Sequence, residues 1–286
     1  MAVLKWTGIV IGLLVVAGVA LVWLGNLRWA AATRDLQARL EASRSSPQPA
    51  RYSSRELEGL PAPVQRYFRS ALTEGQPIVA AADVVHTGTF NMSESGEQWL
   101  PFSSHQRVIT RRPGFLWDGR VAMLPGVAVR VHDAYIAGEG ILHPAILGLF
   151  TLIDLRGTGD VAQGELMRFF AEAAWYPTAL LPSQGVKWEP VGDSSARATL
   201  RDGAIVLTMT FSFDANGMIE AVRAEARGRM VSGKVVPTPW EGRWSNVQRH
   251  GGMRVPMTGE VAWLTREGRK PYWRGTIASL DYEFAK

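Results

Sequence analysis

The stretch ARATLRDGAIVLTMTFSFDANGMIEAVRAEARGRM, residues 196–230, decides the class of fold. Ile205, Leu207, Met209, Phe211 and Phe213 alternate with Val206, Thr208, Thr210 and Ser212, the period of two that puts apolar side chains on one face of a strand. Arg201-Asp202-Gly203 and Asp214-Ala215-Asn216-Gly217 bracket that strand with turn chemistry, so 196–200 and 219–230 are its antiparallel neighbours. Downstream, 240–249, 254–265 and 272–284 keep the same rhythm. Upstream, 79–90, 106–109, 115–120 and 127–135 are shorter strand-like runs parted by Gly, Pro and Asn. Strands this long and this regularly spaced predict a large curved antiparallel sheet, half-barrel-like, in an α+β domain with helices packed across one face.

Three segments break the rhythm. Val64, Tyr67, Phe68, Ala71 and Leu72 recur at helical spacing. Asp160 and Gln163 form a capping-box pattern ahead of a helix over 164–174, whose apolar face holds Leu166, Phe169, Phe170 and Ala173. The apolar run 144–155, opened by Pro144, reads as a further helix.

The amino-terminal end is different in kind. Trp6 to Leu27 is 22 residues without a charge, enough as helix to cross a hydrocarbon core ~30 Å thick. Trp6 and Trp23 stand near its two ends, where indoles rest among lipid headgroups. A cleaved signal peptide competes with this reading through Ala30-Ala31-Ala32, but its apolar stretch would normally be only ~7–15 residues. The expected organisation is an anchor over 1–29, a juxtamembrane helix and linker over 30–49, and one soluble α+β domain over 50–286. The net charge is +5, of which the five basic and two acidic groups of residues 1–49 hold +3. The remaining body is nearly balanced, which argues against a nucleic-acid surface. With no cysteine, disulfides, thiol catalysis, iron–sulfur clusters and cysteine-based zinc sites are excluded.

No nucleotide-binding glycine motif and no Gly-x-Ser-x-Gly elbow occurs, and the five histidines show no i,i+4 pair, so neither a cofactor nor a metal is expected. Glu165, Arg168 and Glu172 share one helix face, followed by Trp175 and Tyr176. Such a cluster is either a self-neutralising solvated face or a polar group opening into a cavity. On strand 115–120, Trp117 faces opposite to Asp118 and Arg120. Eight tryptophans lie in the body, and they either fill the core or line a cleft. The candidate ligand-binding set is Arg168, Glu172, Trp175, Tyr176, Trp117, Asp118 and Phe170.

Several pieces resemble an uncharacterised bacterial family defined as a domain of unknown function: 60–67 (LPAPVQRY), 113–118 (PGFLWD), 171–182 (AEAAWYPTALLP), Pro239-Trp240 and 252–256 (GMRVP). That resemblance covers about residues 55–285 and brings no assigned activity. The expected architecture is also similar to that of the lipoprotein-localisation factors (LolA/LolB-like), which hold acyl chains between sheet and helices. This likeness implies a membrane-tethered module in the bacterial envelope that binds a lipid or other amphiphile, with the bilayer as partner through residues 6–27 and the body on the extracytoplasmic side. The positive-inside rule, counted over Arg28, Arg34, Arg39 and Arg44, points to the opposite orientation. Two other classes stay open: a hydrolase or isomerase using Glu172 or Asp118 with a nearby histidine, and a structural or partner-binding envelope protein.

Overall fold

The computed structural model describes residues 2–93, 96–231 and 233–286, with side chains from Lys5 onward. Helix α1 (Ala2–Ala42) is one continuous rod. It is the one described helix long and apolar enough to cross a membrane, and its apolar side chains up to Leu24 stand exposed. Helix α2 (Ala62–Ala71) opens with Pro63 in its first turn, where a missing N–H costs nothing, and buries the expected face of Val64, Tyr67, Phe68 and Ala71. Helix α3 (Asp160–Glu172) is capped by Gly159 with no side-chain cap, so the capping box does not form, and Asp160 lies in the first turn.

Among the described residues, fourteen strands make one sheet. They are β1 (Val79–Asn91), β2 (Trp99–Ile109), β3 (Gly114–Leu124), β4 (Val127–Ile136), β5 (Glu139–Ile146), β6 (Phe150–Thr151), β7 (Leu155–Gly157), β8 (Lys187–Gly192), β9 (Ser195–Asp202), β10 (Ile205–Phe213), β11 (Ile219–Val231), β12 (Lys234–His250), β13 (Met253–Thr265) and β14 (Gly268–Phe284). Their order is β6-β5-β4-β3-β2-β1-β14-β13-β12-β11-β10-β9-β8, with β7 paired to β5. The β1–β14 pairing joins the two ends of the domain, from Val79 with Phe284 to Phe90 with Trp273.

The half-barrel-like curvature expected from the sequence does not occur. The sheet is open: its pairing path ends at β6 and at β8, and it neither closes nor curls strongly on itself. The tryptophans explain how an open sheet carries so much aromatic bulk. A Cβ on Gly119 would lie 2.0 Å from the Trp117 ring, and one on Gly275 would lie 2.3 Å from the Trp273 ring. These rings lie along their own strands over glycine two residues away, so they cover the sheet without needing a curled interior to fill. The core forms instead against α2, α3 and the short 3₁₀ turns at 173–184, with Trp175, Tyr176 and Leu180 buried there.

The run 144–155 forms no helix. Residues 144–146 end β5, 147–149 turn the chain, Phe150–Thr151 is β6 paired back on β5, and 155 begins β7. A short apolar run of this kind reads equally as helix or as strand and turn from periodicity alone.

The second half of α1 covers the opposite face of the sheet from α3. Leu36 and Leu40 pack with Ala81, Ile109, Leu116, Ala134, Ile136 and Ile141 in a separate small core. Ion pairs fix this helix at its rim, Arg39 with Glu139 and Arg107 with Glu41, Asp83 and Glu283.

Candidate functional site

Between α3 and the sheet lies a cavity of about 1070 Å³. It exceeds the ~300–1,000 Å³ usual for small-molecule sites. Its sheet wall is aromatic, with Trp117, Trp240, Trp244, Trp263, Tyr272 and Trp273, while α3 presents Gly164, Glu165, Arg168 and Glu172.

The helix spacing brings those three charged residues to one buried face, and strands supply their partners. Arg168 Nε donates to Glu172 Oε1 at 2.7 Å, Nη1 to Asp133 Oδ2 at 2.5 Å and Nη2 to Gln106 Oε1 at 3.0 Å. Gln106 Nε2 donates in turn to Glu172 Oε2 at 2.7 Å, which closes the ring of bonds. The guanidinium also lies over the Phe115 and Trp117 rings, 5.0 and 5.1 Å from their centroids. Burial opposes its charge, but Glu172, Asp133 and Glu165 outweigh burial and hold its pKa above the ordinary value. Arg168 is therefore a pin between α3, β2 and β4.

Glu165 sits one turn earlier and behaves differently. Burial, then the neighbouring Asp133 charge and a hydrogen bond with it, raise its pKa well above the usual carboxyl range against the opposing pull of Arg227 and Arg168. Glu165 Oε2 and Asp133 Oδ1 are both buried without a hydrogen-bond partner among the described residues. Arg227 Nη2 stands 3.9 Å from Glu165 Oε2, and its guanidinium lies 5.2 Å from the Trp240 ring. Three further buried donors on the cavity wall lack acceptors: Trp117 Nε1, Trp244 Nε1 and Arg269 Nη2. The site thus combines an aromatic slot with a buried carboxyl, Glu165, beside the Arg227 guanidinium.

Of the seven residues named from the sequence, Trp117, Arg168 and Glu172 line this cavity. Trp175 is one layer behind, edge-on to Trp244 at 5.0 Å. Phe170 is core, packed on Phe211, and Tyr176 is core with its hydroxyl donating to Phe169 O at 2.7 Å. Asp118 lies on the other face of the sheet. There it accepts from Trp29 Nε1 at 2.9 Å and from Thr33 Oγ1 at 3.1 Å, and so holds α1. His132 shares that place, stacked on Trp29 at 3.9 Å, and burial pushes its pKa down to about 4. Among the described residues that line the cavity none is a histidine, and Asp118 and His132 meet instead under α1, both bonded to Thr33. Among the described residues no group of three or more His, Asp or Glu is placed to hold a metal ion. Sequence reading missed Gln106 and Arg227 as members of the site. The signal for Gln106 was a fully buried polar side chain within a strand, visible only once its partners are known.

The model of a family of unknown function, DUF6920, matches residues 58–282, and the chain belongs to that family. No curated protein matches it. Among solved structures it is weakly similar to a LolA superfamily protein from Nitrosomonas europaea, at 10% identity, 78% coverage of this chain, 92% of that one and a TM-score of 0.32. It is also similar to a β-barrel-like protein of the domain of unknown function DUF1849 from Brucella abortus, at 13% identity, 72% and 99% coverage and a TM-score of 0.21.

Proposed function

We propose that this protein is a membrane-tethered binding module that holds a lipid or another amphiphile between α3 and the sheet. The observation that carries this is the cavity itself, an aromatic slot of about 1070 Å³ that is also lined by the paired Glu165 and Arg227. An aliphatic chain would replace water against Trp240, Trp244, Trp263 and Trp273. Acceptor oxygens of its polar end would meet the Arg227 guanidinium. Arg168, already engaged on three nitrogens, positions the wall instead of contacting the ligand. The charged face of α3 is buried against the cavity rather than solvated, which favours binding over a purely structural role. The exposed apolar first half of α1 supplies the tether.

The test is native mass spectrometry of the full chain released from mild detergent, paired with lipid extraction. A bound mass in the lipid range is expected, and it should be lost in Gly164→Trp, whose ring fills the slot. Only the bare chain mass, with no extractable lipid, would overturn the proposal.

A further inference from the structure

The rim of β-turns through which α1 leaves the domain carries nearly all of the body's exposed apolar bulk, and the cavity opens between those same side chains. We infer that this rim rests on the bilayer that α1 crosses, so that the cavity mouth faces the lipid surface. The inference rests on reading α1 as a membrane span and the cavity as a ligand site.

The path of α1 over the sheet fixes which end is which. Leu40 Cδ1 lies where a Cβ on Gly114 would meet it at 2.9 Å, at the start of β3. Thr33 reaches Asp118 and His132 in the middle of β3 and β4. Asn26 Oδ1 accepts from Arg130 Nη2 at 2.7 Å, near the start of β4. At Gly25 the helix meets the turn after β5 so closely that a Cβ would lie 2.1 Å from Leu147 O. Gly148 answers from the other side, where a Cβ would lie 3.1 Å from Gly25 O. Beyond this contact, towards residue 5, every described side chain of α1 is exposed. The uncharged span therefore departs at the end of the sheet where β3 turns into β4 and β5 into β6. The antiparallel order puts the β11–β12 and β13–β14 turns at that same end.

Outside α1, nine large apolar side chains are exposed among the described residues, and seven of them are here: Met123, Leu124, Phe150, Leu152, Ile153, Val235 and Val236. Val206 sits beside the β9–β10 turn, and Val191 lies at the opposite end of the sheet. Leu124 is 69% exposed and Phe150 57%, an unusual display for residues with no catalytic or packing duty. Leu152, Ile153 and Val235 also line the cavity, so its mouth is bounded by exposed apolar lips. The occupant follows from continuity with the span. Trp23 is two residues from the Gly25 contact, ~3 Å along the helix axis, so a bilayer that takes up α1 meets this rim at headgroup depth. An amphiphile would then pass between leaflet and cavity without crossing open water.

The natural chain has no cysteine, so single labels are direct to place. Leu124→Cys, Phe150→Cys and Val236→Cys report the rim, Val191→Cys the opposite end of the body, and Val15→Cys the span. Each full-length variant is labelled with an environment-sensitive fluorophore and reconstituted into phosphatidylcholine nanodiscs, with and without doxyl-labelled lipid. The expected result is at least twofold quenching at 15, 124, 150 and 236 and little at 191. Quenching at 15 without quenching at the rim would overturn the inference and leave the anchor standing. No quenching at 15 would remove the anchor and the inference together. Rim labels shielded from both lipid quencher and aqueous iodide would show a protein covering the rim, which also overturns it. Co-purified lipid in a chain whose rim stays unquenched would separate failure here from failure of the ligand reading.

Discussion

Replacing Glu165 by Gln should change how stability depends on pH, in a direction that follows from one retained proton. In the folded chain the Glu165 carboxyl is held well above its ordinary value of 4.5, first by burial and then by Asp133. In the unfolded chain it titrates at about the ordinary value. Between those two values the folded state binds one proton that the unfolded state has released, so stability falls as pH rises, by at most about 1.4 kcal/mol per pH unit. That loss starts above about 4.5 and continues until the folded carboxyl ionises. Other groups slope the opposite way. His86 and His132 are buried neutral, with pKa values lowered to about 3 and about 4 chiefly by burial, and they add stability as pH rises towards 6.5. Asp83, Glu260 and Glu283, lowered by their hydrogen bonds and ion pairs, act below about pH 4.5. Glu165→Gln keeps the bond to Asp133 through its amide and leaves all these groups in place, so they cancel in the difference between the two proteins. Urea unfolding of the full chain in detergent at pH 5, 6 and 7 should show the variant gaining on the wild type as pH rises, by at most about 1.4 kcal/mol per unit. A constant difference across that range would refute the reasoning. It would mean that Glu165 ionises normally and pairs with Arg227.

Arg168→Met should destabilise the chain by about 3–5 kcal/mol in denaturant unfolding, since Asp133 and Glu172 are left buried without their partner. Adding Glu172→Gln should recover part of that loss, and a double-mutant cycle measures the coupling. Gly164→Ala should raise stability by about 0.5–1 kcal/mol, because its Cβ meets nothing nearer than Arg227 Nε at 3.9 Å, and ligand binding should persist. Trp29→Ala removes both the stack on His132 and the bond to Asp118. Hydrogen exchange should rise across residues 28–42 with α3 unchanged, whereas uniform protection would show that this contact does not hold α1.

The parts legible in the sequence were those with short-range signals. Strand β10 alternates because only one of its faces is buried, and Glu165, Arg168 and Glu172 share a face because helical spacing requires it. The opposition of Trp117 to Asp118 followed from the same pleat, and the structure puts them on opposite sides of the sheet, in the cavity and under α1. What was not legible depends on distant pairings. Asp133, Gln106 and Arg227 reach the site from three other strands, and no local pattern announces their partners. The curvature was misjudged because strand length and regular spacing do not record whether the pairing path closes. The run 144–155 was misjudged because short apolar strand and turn segments carry no periodicity that separates them from a helix. The docking role of Asp118 depended on Trp29 and Thr33, 89 and 85 residues away.

The most direct measurement is photo-crosslinking of the full chain in nanodiscs with a phospholipid that carries a diazirine in its acyl chain, followed by peptide mapping. Crosslinks within α1 residues 6–24 serve as the internal reference for the bilayer. The proposed binding site requires a second set at Trp240, Trp244, Val261, Trp263 or Trp273, lost in Gly164→Trp. Crosslinks confined to α1 and the rim, with none inside the cavity in the wild type, would contradict it.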